Sequence, residues 1–124
     1  IEFIQTLKVL KKKLEVIRGY FDLESLEIEL INLVKESEKN DFWSDKKKAQ
    51  FTLKNISTIN KRLDSYKSLE NELSEQFEIS ELYKDEEVDL QMHSEQILVN
   101  HDRRRSLNTF HRKFESDMRT LHGD

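Results

Sequence analysis

The sequence contains no cysteine and no proline, and its two glycines stand at positions 19 and 123. Without cysteine there is no disulfide, no thiolate metal ligand and no thiol nucleophile, a composition compatible with a reducing compartment. With proline absent and glycine so scarce, the chain has few places to turn and no Gly-rich loop to cradle a phosphate. Apolar runs are too short to span a bilayer, and the first residues lack the apolar region of a signal peptide, so a cytoplasmic location without a membrane partner is expected. The four histidines, His93, His101, His111 and His122, include no pair at the i, i+4 spacing that sets two ligands on one helix face. No HExxH motif or Cys/His cluster accompanies them, so neither a metal nor another cofactor is expected. Carboxylates are plentiful but follow the solvent-facing pattern of charged helices, and no spacing joins a nucleophile to a positioned base. The expectation is a protein that is not an enzyme.

What the sequence has in abundance is charge: 37% of its 124 residues are charged and 35% are hydrophobic. That balance suits long helices with narrow buried seams, organised as one helical domain over residues 1–124. The net charge of −4 argues against a simple nucleic-acid binder, and no DNA partner is expected. The charge is uneven, since residues 1–18 and the C-terminal end are net basic while 22–45 and 67–95 are net acidic.

Residues 44–80 organise the rest. They contain neither Gly nor Pro, and Ala49, Leu53, Ile56, Ile59, Leu63, Tyr66, Leu69, Leu73 and Phe77 recur by threes and fours. This predicts a single helix roughly 55 Å long at 1.5 Å per residue. A stripe of that length must be covered by neighbouring helices, so the fold class is all-α: an elongated hairpin or bundle of three to four helices around a long central one, with coiled-coil-like packing.

Before it, Phe3, Leu7, Leu10, Leu14 and Ile17 form a heptad-like seam, with Lys11 to Lys13 mostly on the opposite side, near the end of the first helix. Gly19 is expected to end that helix in a left-handed conformation, with Tyr20 and Phe21 at the corner and Asp22 capping the next. The second helix is predicted from Leu23 to about Glu38. Leu23, Leu26, Leu30, Leu33 and Val34 line its inner face, and Ile28 and Ile31 widen it towards a second neighbour. Phe42 and Trp43 then arrive together before Ser44, the expected cap of the long helix. Two readings stand for this aromatic pair, an exposed plug or a staple packed against the bundle, and the staple is preferred.

Beyond an acidic zone a turn is expected near residues 84–87, then a fourth helix from Val88 carrying Met92, Ile97, Leu98, Val99, Leu107, Phe110, Phe114, Met118 and Leu121. Its apolar stripe is interrupted at residues 100–105, as an exposed stretch or a kink. There Arg103, Arg104 and Arg105 are candidate contacts for RNA or a protein, although three successive arginines point to different sides of a helix.

Two corners carry a family resemblance. The run Ile17-Arg18-Gly19-Tyr20-Phe21-Asp22-Leu23-Glu24, followed by Asn40-Asp41-Phe42-Trp43-Ser44-Asp45 and Lys48-Ala49-Gln50, closely resembles the N-terminal helical domain of bacterial peptide chain release factor 2. In that family an Arg-Gly-x-Leu/Phe-Asp corner leads into a Leu/Glu-rich helix, and an Asp-x-Trp corner and Ala-Gln open a long one. The similarity runs from Phe3 to Leu82. Residues 83–124 diverge, with only the stretch from Leu107 to Asp117 loosely similar to the family's junction with its catalytic part.

The resemblance implies a class 1 factor acting at UAA and UGA codons. The family's codon-reading Ser-Pro-Phe-like tripeptide and its Gly-Gly-Gln loop for peptidyl-tRNA hydrolysis cannot occur in a chain of this composition. What remains, by resemblance, is the arm that docks on the ribosome at the stalk base and GTPase-associated centre, where it also meets the translational GTPase release factor. Such an arm folds within one chain, as a monomer. From a different class, the heptads also suit a structural coiled-coil module that binds another helix or a second copy of itself.

Overall fold

The computed structural model describes residues 2–82 and 94–123, with side chains for 3–82 and 101–121. Among the described residues there are four α-helices and no strand: α1 (Glu2–Phe21), α2 (Leu23–Ser37), α3 (Lys46–Leu82) and α4 (Ser94–Gly123), with a 3₁₀ turn at Phe42–Ser44. The fold is an all-α helical bundle. Its described residues group into two compact units whose boundaries fall inside α1 and α3, one running from Arg18 to Lys67 and the other comprising what precedes and follows. The turn expected near 84–87, together with Val88, Met92 and His93, lies outside the described residues.

In the unit that joins the start of α1, the end of α3 and α4, the seam of α1 is buried as expected. Phe3, Leu7, Leu10, Leu14 and Ile17 are all in the core, with Leu69 and Leu73 of α3 and Leu107, Phe114, Met118 and Leu121 of α4. Leu7, Leu10 and Phe114 are fully enclosed. Side-chain pairs fix the helix directions. Arg103 lies over Phe3 and Lys13 pairs with Glu115, so α1 and α4 run parallel in near register. Lys113 meets Glu72, while a cleft beside Phe3 joins Gln76 and Ser80 to Arg103, so α3 runs antiparallel to both. Helix α4 continues through residues 100–105, with His101, Asp102, Arg104 and Arg105 exposed, which agrees with the expected exposed stretch of helix.

In the other unit, α2 and the first part of α3 form an antiparallel hairpin. Arg62 lies 5.3 Å over the Phe21 ring at one end, and Glu36 feels the charge of Lys48 at the other. Leu23, Phe42, Ala49, Ile59 and Tyr66 are buried. Thr52 is buried while Leu53 is 40% exposed, a one-position correction to the expected stripe. Leu26, Leu30 and Leu33 are half-buried on the inner face of α2. Ile28 and Ile31 are 61% and 54% exposed, so the expected second neighbour for that face is not found among the described residues.

The first corner departs from expectation. Gly19 is helical and has no positive φ; α1 continues through it to Phe21, and the left-handed residue is Asp22, with φ 47° and ψ 65°. Aspartate tolerates this region better than most side chains because its short polar group bonds locally. The Asp22 carboxylate accepts from the Ser25 N–H at 3.4 Å and the Ser25 hydroxyl at 2.7 Å, capping α2 as expected. Because α1 ends at Phe21, Lys11 to Lys13 lie well before its last turn, and their expected role at the helix terminus does not apply.

Candidate interaction surfaces

The three consecutive arginines are divided by the helical twist. Arg103 is half-buried, and its guanidinium lies 4.5 Å from the centroid of the buried Phe3 ring. It also lines a cleft of about 340 Å³ with Gln76, Ser80, Asp102 and Ser106. Arg104 and Arg105 are exposed. The segment therefore presents no joint row of three, and a cation stacked on a ring of the same unit contributes packing there.

The aromatic corner is divided as well. Phe42 is buried in the 3₁₀ turn, whereas Trp43 is 62% exposed and meets Phe42 edge-on at 5.1 Å between centroids. A 3₁₀ turn sends adjacent side chains in different directions, so one aromatic staples the corner and the other faces water. Ser44 belongs to that turn. The cap of α3 is Asp45, whose backbone is extended and whose Oδ1 accepts from the Lys48 N–H at 3.1 Å. Tyr20 is 65% exposed and packs edge-on against Phe21, 5.0 Å away.

Ion pairs set the electrostatics around these corners. The Arg18 guanidinium, 2.7 Å from Glu24, holds that carboxyl below its ordinary value, chiefly by hydrogen bonding. Lys39 does the same to Glu36 from 2.9 Å, and its own ammonium is raised in return. On α4, hydrogen bonds first from Lys13 and then from His111, 3.1 Å away, lower Glu115. Lys113 is raised by its bond to Asp117 and by the charge of Glu72. Among the described residues no cluster of three His, Asp or Glu side chains has the geometry to hold a metal ion.

A uniformly basic stretch, hidden when charge is summed over the whole helix, lies at the start of α3. Lys46, Lys47, Lys48, Lys54, Lys61 and Arg62 fall in residues 46–63 without a single acid among them. The signal was present in the sequence. It was obscured because residues 64–82 of the same helix are rich in glutamate, so that the helix taken whole is nearly neutral.

Comparison with curated proteins aligns 80 residues, 64% of this chain, with peptide chain release factor 2 of Helicobacter pylori strain J99 at 34% identity. The factor of strain G27 matches to the same extent and at the same identity. The aligned part is 22% of each relative, so the chain spans about a fifth of the length of the curated relatives it matches. No family model matches the chain, and no solved structure does.

Proposed function

We propose that this chain is the ribosome-docking helical domain of a type 2 class 1 release factor, serving termination at UAA and UGA codons. The observation that carries this is the 80-residue similarity, at 34% identity, to a part of peptide chain release factor 2. The chain contributes no codon-reading or Gly-Gly-Gln element. Its role is positional: an all-α domain, with α3 continuous over 37 residues, brings a surface to the stalk base and GTPase-associated centre and to the translational GTPase release factor. It acts as a monomer, in the cytoplasm.

Co-sedimentation with separated ribosomal subunits tests the reading. Binding to the large subunit at low salt, weakening as salt rises, is the expected result. Absence of binding at low salt contradicts it.

A second reading, a homodimeric coiled-coil module, is favoured by the row of Ile28, Ile31 and Val34, all exposed on α2. It requires a concentration-dependent dimer in sedimentation equilibrium, whereas the docking domain stays monomeric.

A further inference from the structure

We infer that the outward face of the first half of α3 is an RNA-binding surface, in which Lys47, Lys54 and Lys61 take the phosphate backbone and Phe51 stacks on an unpaired base. At 100° per residue, positions 47, 51, 54, 58 and 61 fall within an arc of about 80°, on the side of the helix away from the buried Ala49, Thr52, Ile59 and Tyr66. Lys47, Phe51, Lys54, Thr58 and Lys61 are all exposed, Phe51 by 66% of its surface. No carboxylate lies within ion-pair distance of Lys47, Lys54 or Lys61 among the described residues. The row extends roughly 21 Å along the helix, the scale of a few consecutive nucleotides.

Folding does not account for this face. A phenylalanine opposite the core buries little and stabilises little. Cations in the first turn of a helix oppose its macrodipole, so Lys46, Lys47 and Lys48 weaken the start of α3, where Asp45 caps the helix and Glu36 faces Lys48. Residues 46–63 carry charge of one sign, positive, whereas residues 64–82 of the same helix are acidic with Lys67 their lone cation, so the basic charge is concentrated at one end of α3. Lysines spaced along an exposed row with an aromatic between them match the phosphates and π-faces of a flexible polyanion. A purely acidic peptide would complement the charge but leave the exposed ring without a partner. RNA supplies both.

The inference rests on the docking reading only for the identity of the RNA, which in that case is ribosomal. It is tested with free RNA: a fluorescent stem-loop and a fully paired duplex of the same stem, titrated with the whole chain at several salt concentrations. The stem-loop is expected to bind more tightly than the duplex, and Phe51→Ala is expected to weaken it about tenfold and remove the preference. Replacing Lys47, Lys54 and Lys61 together by Gln should flatten the slope of log affinity against log salt by about two to three. The same replacement at Lys8, Lys11 and Lys12 on α1, exposed and equal in charge, should leave affinity within about twofold. Helical circular dichroism of each variant, expected to be unchanged, separates loss of binding from loss of fold.

No binding of either RNA at low salt overturns the inference. Equal weakening by the two lysine triples, or tighter binding of anionic vesicles or a polyglutamate peptide than of the stem-loop, does so too. A chain that sediments with ribosomes yet ignores free RNA defeats this surface while leaving the docking reading intact.

Discussion

The guanidinium of Arg103 rests 4.5 Å above the ring of Phe3, a residue a hundred positions earlier in the chain. This contact ties the start of α1 to α4 and gives the first of three adjacent arginines a role inside the bundle. Arg103→Ala is therefore expected to destabilise the protein by about 1 kcal/mol, through lost stacking and lost cover over Phe3. The exposed Arg105→Ala should change stability by less than about 0.5 kcal/mol. Urea denaturation of the two variants measures the difference, and equal effects would contradict the assignment.

Gly19 offers a test with the opposite sign. It is helical, and a Cβ added there meets nothing within 4 Å. Gly19→Ala should raise stability by about 0.5–1 kcal/mol, since it restricts the unfolded chain and favours the helix without a clash. Had glycine formed a left-handed corner, the same substitution would destabilise. The sign of the shift in thermal midpoint decides between the two.

The neighbouring aromatics of the second corner should respond unequally. Phe42→Ala removes a buried ring and is expected to cost about 3 kcal/mol. Trp43→Ala, at a site 62% exposed, should cost less than about 1 kcal/mol. Chemical denaturation of both variants provides the comparison; a large loss at Trp43 would mean that it is covered.

Much of this architecture is legible in the sequence because helical seams repeat. The five apolar positions of α1 are all buried, the long glycine-free stretch is one helix, and Leu107, Phe114, Met118 and Leu121 line the core side of α4. Corners are less legible, because there one residue's conformation decides and composition offers several candidates. At the first corner both Gly19 and Asp22 are suited to a left-handed turn, and it is Asp22, with its local bonds to Ser25, that adopts it. At the second, Phe42 and Trp43 are adjacent large aromatics that either could bury, and the 3₁₀ geometry separates the buried ring from the exposed one. Periodicity also cannot say whether Ile28 and Ile31 find a partner, because it reports a face and not what covers it.

Acid should loosen the pairing of α1 with α4. Glu115 is held below the ordinary carboxylate value of 4.5, first by Lys13 and then by His111. In the window below that value the unfolded chain binds more protons at this site than the folded one, so stability rises with pH across it. The contribution is complete above the ordinary value and is lost as pH falls through the lowered one. Glu115→Gln should therefore flatten this part of the acid-denaturation profile, with an effect of less than about 1 kcal/mol because the pair is partly exposed. An unchanged acid limb would show that the pair contributes nothing.

The most direct test of the docking role is competition on the ribosome. The fluorescently labelled chain is bound to ribosomes with a stop codon in the decoding site, and an intact type 2 release factor is added. Displacement of the label as the intact factor fills its site, with the chain alone releasing no peptide, is the predicted result. Retention of the label while the intact factor binds and releases peptide would mean that the two occupy different places, and would contradict a release-factor docking domain.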